Sequence, residues 1–262
     1  MSARKTVSEW TAAALCGFAV LASSQASAKD PLITDRPDFT ESAFVVGRGT
    51  VQLEGGATYA DAGDESVTSL PELLVRWGVT RTVELRFLTP TYAWIDGPNG
   101  SGSGFLSTSL GAKIALNDGD GDGFWGKTGA ALIVATTVPT GGSAVASSAW
   151  QPSATLSLAW DLSESIGLGT NIGWARPEDD GQRFNTFYGS VAAGFGIAKN
   201  TSIFTELIFF DRESERGPST TTFQTGVTYL INPDFQLDLR AARRLSSEGA
   251  DILIGLGASA RF

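Results

Sequence analysis

The chain closes on Ile252-Leu253-Ile254-Gly255-Leu256-Gly257-Ala258-Ser259-Ala260-Arg261-Phe262, and this ending limits the fold more than any other stretch. Counting back from Phe262 in twos gives Ala260, Ala258, Leu256, Ile254 and Ile252, an unbroken apolar file. The alternate file, Arg261, Ser259, Gly257, Gly255, Leu253 and Asp251, is small or polar apart from one leucine. Successive side chains on a strand point to opposite faces, so the run predicts a strand of about ten residues with one oily and one small-polar face. Such a strand, ending on an aromatic, fits the closing strand of a bacterial outer-membrane barrel. The last strand of a soluble sandwich would carry the same alternation, so the remaining chain must decide.

The alternation recurs. Period-two segments fall at Thr50–Ala60, Thr68–Gly78, Arg81–Tyr92, Gly104–Leu116, Lys127–Val138 and Gln151–Trp160. Further segments are Ile166–Trp174, Thr186–Ile197, Thr201–Phe210, Thr220–Ile231, Phe235–Ala242 and Ala250–Phe262. Clusters of Gly, Pro, Asn and Asp separate them, and helical periodicity is scarce. Twelve strands is an even count, as a closed antiparallel barrel with both ends on one side requires. Gaps such as Gly78–Thr80 and Asn232–Asp234 are tight, whereas Ala93–Ser103 and Pro139–Trp150 on the other side are longer. Only Asn117–Gly126 is long on the tight side.

The start of the chain bears on the compartment. Arg4 and Lys5 precede a mostly apolar run, Thr11–Ala22, too short to span a bilayer as a helix. Ala26-Ser27-Ala28 is a small-x-small cleavage site, so residues 1–28 read as a secretory signal. The single Cys, Cys16, lies inside it, and the chain holds no His. Disulfides, thiolate or imidazole metal sites and Ser-His-Asp chemistry are thereby excluded after cleavage. The 28 acidic residues outnumber the 19 basic ones, a poor balance for binding nucleic acid.

Charges on the strands sort onto one face. Glu54, Glu72, Arg76, Glu84, Arg86, Lys113, Glu206, Asp238 and Arg240 each oppose the main apolar file of their strand. In a sandwich that face meets water; in a membrane barrel it lines the lumen. Aromatics favour the barrel, because Tyr59, Trp77, Tyr92, Phe105, Trp150, Trp160, Trp174, Tyr229, Phe235 and Phe262 cluster near strand ends. Trp and Tyr at the water boundary form the girdles of membrane barrels. The expected fold is therefore all-β: one closed antiparallel transmembrane barrel of about 12 strands over residues 49–262, with short periplasmic turns and longer outer loops. The intervening segment 29–48 either hangs in the periplasm or folds into the lumen as a plug, where Asp35, Arg36, Asp38 and Glu41 would meet the lumen charges.

Several stretches resemble one family. They are Asp35-Arg36-Pro37-Asp38-Phe39-Thr40-Glu41-Ser42, then Gly49–Gly56, Leu73–Thr80 with Val83-Glu84-Leu85-Arg86, Pro139-Thr140-Gly141, and Phe235-Gln236-Leu237-Asp238. Together they are similar to the proteins grouped as the MetA pathway of phenol degradation, described as outer-membrane transporters. The resemblance runs in order through nearly all of the exported chain. It implies an outer-membrane barrel of a Gram-negative bacterium that passes small, aromatic molecules, and it brings no catalytic residues.

The motifs that could carry other chemistry are weak. Asp118-Gly119-Asp120-Gly121-Asp122-Gly123 opens like an EF-hand loop, but the twelfth place is Gly129 instead of the bidentate Glu. A solvated acidic turn is the plainer reading, and no metal or cofactor is expected. Gly100-Ser101-Gly102-Ser103-Gly104 lies in a loop with no His to activate the Ser. The inward carboxylates read better as ion-pair filling of a narrow lumen than as an acid–base pair. An apolar patch on the inward file, Leu74, Leu88, Phe204, Ile208 and Phe210, suits an aromatic solute and also plain packing. The expected function is passive passage of small molecules, against the alternative of a non-conducting barrel with a structural or surface-binding role. Expected partners are outer-membrane lipid, a small-molecule solute and, through the C-terminal strand with Phe262, the barrel-assembly machinery. The oligomeric state stays open.

Overall fold

The computed structural model describes residues 30–98, 100–118, 128–142, 145–179, 181–247 and 250–262. Among these, strands β1 (Val51–Asp61) to β12 (Ile252–Arg261) form one antiparallel sheet that closes on itself. Between them lie β2 (Ser66–Leu70 and Leu74–Gly78), β3 (Val83–Leu88 and Tyr92–Asp96), β4 (Gly102–Phe105 and Thr108–Asp118), β5 (Thr128–Val138) and β6 (Gln151–Ser163). There follow β7 (Ile166–Ala175), β8 (Thr186–Ala198), β9 (Thr201–Phe210), β10 (Thr220–Asn232) and β11 (Phe235–Arg244). Each strand pairs with its neighbour in sequence, and β1 pairs with β12 from Gln52↔Arg261 to Asp61↔Ile252. The seam is completed by the terminal residue, whose N–H donates to the Val51 carbonyl at 2.8 Å. With no open edge, the ladder satisfies the backbone groups that hydrocarbon cannot.

Among the fully described connections, turns at one end are two to four residues: 79–82, 164–165, 199–200 and 233–234. Loops at the other end reach twelve residues, at 139–150. A two-rung ladder, Glu178–Asp179 with Gln182–Arg183, braces the loop between β7 and β8. The signal segment and most of the Asp118–Asp122 acidic turn lie outside the described residues.

The alternation predicted from sequence sets the faces. Outside, Leu85, Leu110, Ile172, Val191, Leu207, Leu239 and Leu256 are exposed, and all are aliphatic. Tyr59, Trp94, Phe105, Trp150 and Phe187 ring the loop end, while Trp77, Tyr229 and Phe262 ring the turn end. Inside, the largest fully buried side chains are charged or polar, with Arg76, Lys113, Gln52 and Glu54 at the head. Greasy outside and ionic inside inverts a water-soluble protein and matches a barrel set in lipid.

Three neighbouring strands depart from the uninterrupted segments expected. β2 breaks at Pro71, β3 at Pro90 and β4 at Leu106–Ser107. A proline cannot donate to the ladder, so the first two breaks fall where pairing must lapse. Below the breaks Arg76, Arg86 and Lys113 face inward; above the first two Val67 and Ala93 do, and Leu106 does at the third. The inward parity therefore changes from even to odd in β2 and β3, and oppositely in β4, as an extra residue in a strand requires. Val67, Ala93 and Leu106 then pack together as a small apolar cluster near the outer end.

Candidate functional site: the charged interior

Eight of the nine strand charges singled out from sequence are buried, and Arg240 is half-buried. They meet chiefly residues 30–50 rather than one another. Arg76 and Arg86 are directly opposed across β2 and β3, a repulsive arrangement if left alone. Asp35 resolves it. Its Oδ2 lies 3.2 Å from Arg76 Nη1 and 2.5 Å from Arg86 Nη1, and its Oδ1 lies 2.8 Å from Lys113 Nζ. Glu54 and Glu84 close the cluster from the wall, at 2.8 and 2.9 Å from Arg76. Burial alone would raise the Asp35 carboxyl, but Arg76, Lys113 and Arg86 outweigh it and hold it well below the usual carboxylate value.

Arg36 docks on a second cluster, opposite in sign. Its guanidinium lies 3.1 Å from both Glu72 and Asp238, and Arg240 approaches Glu72 at 3.6 Å. Room for it comes from Gly56 and Gly257, which pair directly across the β1–β12 seam. A Cβ at either would overlap the Arg36 side chain.

Glu206 forms the third station, and here backbone replaces the cation. Phe39 N–H and Thr40 N–H donate to it at 2.9 and 2.6 Å, and Gln224 Nε2 donates at 3.1 Å. The Phe39 ring meets Tyr188 and Phe210 edge-on at 5.7 and 5.6 Å. Beyond it, Glu41 N–H donates to Asn171 Oδ1 at 2.8 Å while Ser157 donates to the Glu41 carbonyl at 2.5 Å. The Glu41 carboxylate lies 2.6 Å from Arg86. Val46 N–H donates to Glu84 at 2.8 Å, and Gly49 N–H to the Gly78 carbonyl at 2.7 Å, as the chain returns to the wall.

Asp35, Arg36 and Glu41 of the N-terminal motif thus meet interior charges. Buried Pro37 contributes its carbonyl to Arg240 at 3.1 Å. Asp38 has no ion pair among the described residues; burial and then the Glu206 carboxylate push its carboxyl well above the usual value. Sequence reasoning passed over Gln52, Asn171, Gln224 and the Gly56–Gly257 berth. The signal was present: Gln52 is two places from Glu54, and each residue sits on an inward file.

Two cavities flank residues 35–42. The outer one, about 320 Å³, has Asp35, Arg36, Asp38, Phe39 and Glu41 along its inner boundary and Leu74, Leu88 and Ile133 on its wall. The inner one, about 190 Å³, lies against β6–β9.

A closed barrel with an apolar, aromatic-girdled outer face and a charged interior belongs to the outer-membrane barrel class of folds. Residues 34–262 match the family described as "Putative MetA-pathway of phenol degradation", and the chain belongs to that family. No curated protein sequence matches it. Among solved structures it is similar to an outer-membrane channel from Pseudomonas putida F1, at 14% identity and a TM-score of 0.64, covering 84% of this chain and 98% of that one. It is also similar to the NanC porin, at 11% identity and TM-score 0.53, covering 80% of this chain and 98% of that one. The KdgM porin gives 10% identity and TM-score 0.53, over 80% and 99% of the two chains. These likenesses bear on the fold: a single outer-membrane barrel of twelve strands.

Proposed function

We propose that the protein is an outer-membrane channel for passive passage of small molecules, aromatic and hydrophobic compounds among them, and that residues 29–48 act as a plug narrowing its lumen. The observation that carries this reading is the pair of cavities on either side of a segment held by side-chain contacts. A barrel meant only as a scaffold needs no such spaces, because side chains can fill it. Family membership and the apolar wall of Leu74, Leu88 and Ile133 support an aromatic solute. In this reading Glu54, Glu72, Arg76, Glu84, Arg86, Lys113, Glu206, Asp238 and Arg240 line the lumen and anchor the plug, and no residue is catalytic. Residues 1–28 direct export, and β12 with Phe262 presents the strand that the barrel-assembly machinery recognises.

Planar-bilayer recording tests the proposal. Refolded protein is expected to give discrete conductance steps, and deletion of residues 30–46 is expected to enlarge them severalfold. Silence from both proteins, with the barrel refolded by circular dichroism, would favour the non-conducting structural or surface-binding barrel instead.

A further inference from the structure

The wall of the outer cavity differs from its floor. Towards the loop end, Leu74, Leu88, Ser109, Thr137 and Gln151 stand side by side across β2 to β6. One rung further in, Gly111, Ala135 and Ser153 follow Arg86 across β4 to β6. All of them line the cavity. Gly111 is fixed by packing, since a Cβ there would come within 2.8 Å of the Val134 carbonyl. Ala135 and Ser153 add little beyond a Cβ, so this rung forms a shallow, flat recess. The hydroxyls of Thr137 and Ser153 have no partner among the described residues. They are diagonal neighbours on β5 and β6, so one small molecule can reach both. The charged floor, by contrast, is already matched. Asp35, Glu41, Glu54 and Glu72 are each in an ion pair, and so are Arg36, Arg86 and Arg240. Asp38 has none among the described residues, and burial followed by Glu206 raises its carboxyl, which favours the uncharged form. A charged solute entering this space would lose hydration and gain no free counter-charge, whereas an uncharged one loses little.

We propose that the outer cavity is the seat of the solute, and that it takes an uncharged, ring-sized molecule with a hydrogen-bonding group at its rim. The flat face of the solute lies on the Gly111–Ala135–Ser153 recess. Leu74 and Leu88 cover its apolar edge, and the Thr137 and Ser153 hydroxyls bond its polar edge. At about 320 Å³ the space is at the small end of ligand sites. The inference rests on the channel reading and adds two requirements to it: neutrality, set by the matched floor, and a limit on thickness, set by Ala135.

Nicotinamide and nicotinate share one ring and differ in charge, and 3-picolylamine puts a cation on the same ring. Titration of each into refolded protein in detergent at pH 7, followed by saturation-transfer NMR, ranks the three. Nicotinamide is expected to bind about tenfold more tightly than either ion. Ser153→Ala is expected to weaken nicotinamide severalfold. Ala135→Phe fills the recess and is expected to abolish binding with the barrel intact by circular dichroism. Three results overturn the seat: either ion binding as tightly as nicotinamide, no nicotinamide binding by the wild type, or undiminished binding by a folded Ala135→Phe. The channel reading survives all three where bilayers still show conductance steps. Nicotinamide binding beside a silent membrane keeps the seat and overturns the channel.

Discussion

Arg76 and Arg86 stand face to face with Lys113 close by, so the barrel wall carries a cationic knot that Glu54 and Glu84 offset from the wall and Asp35 offsets from the N-terminal segment. Taking the charge from Asp35 should therefore do more than remove one contact. Breaking a buried pair while its partners stay in place costs about 3–5 kcal/mol. Asp35→Asn is expected to release residues 30–46 at neutral pH, read as fast amide exchange over Asp35–Thr40 while the strands stay protected. The pH dependence has a definite sign. A carboxyl depressed by folding contributes fully above its unfolded value of about 3.9 and loses that contribution as pH falls through its lower folded value. Asp38 runs the other way, since its raised carboxyl favours the docked state on acidification. Docking in the wild type is thus expected to survive from neutrality down to about pH 4 and to loosen only below. Amide exchange corrected for intrinsic rate checks this, and release on going from pH 7 to 5 would count against the Asp35 hub. The sequence displayed the wall charges openly, because period two separates them from the apolar file. It hid the hub, because Asp35 lies in a segment with no period, and the three cations that meet it are 41 to 78 residues away in sequence.

Strand identity was legible wherever alternation ran unbroken, as in β8 to β12, whose bounds lie within two residues of those expected. It failed at Pro71, Pro90 and Leu106–Ser107, where an extra residue changes the inward parity of β2, β3 and β4. A proline announces a break in pairing, but only the neighbouring strand decides which face follows it. The β1–β12 seam holds a subtler feature. Gly56 and Gly257 read in sequence as small inward residues, and their use as a berth appears only when Arg36 is placed between them and the two acids. Gly56→Val suits a strand intrinsically, yet its Cβ would occupy the space of the guanidinium and press on the Leu256 carbonyl of β12. Overpacking of this kind costs about 1–3 kcal/mol. The expected result is a folded barrel with a loosened segment, giving larger or noisier conductance steps than the wild type. Steps of wild-type size and noise would show that the berth does not hold the segment.

The outer surface of the whole molecule makes a demand that no soluble protein could meet. Apolar side chains are exposed on every strand around the barrel, far beyond the few hundred Å² that a monomer in water normally shows. Val191 lies mid-strand on β8 opposite Leu207 of β9, and both are exposed. On a lipid-facing surface an arginine near the bilayer midplane costs about 2–4 kcal/mol, falling towards zero at the interfaces. Val191→Arg is therefore expected to destabilise the barrel by about that amount when it is unfolded from lipid vesicles with denaturant. Phe187→Arg, on the same strand and face but in the girdle at the outer end, is expected to cost about 1 kcal/mol or less from the change in depth. The contrast between the two sites carries the test. Equal losses would mean that hydrocarbon does not surround the mid-strand face, and the membrane placement of the barrel would fall with it.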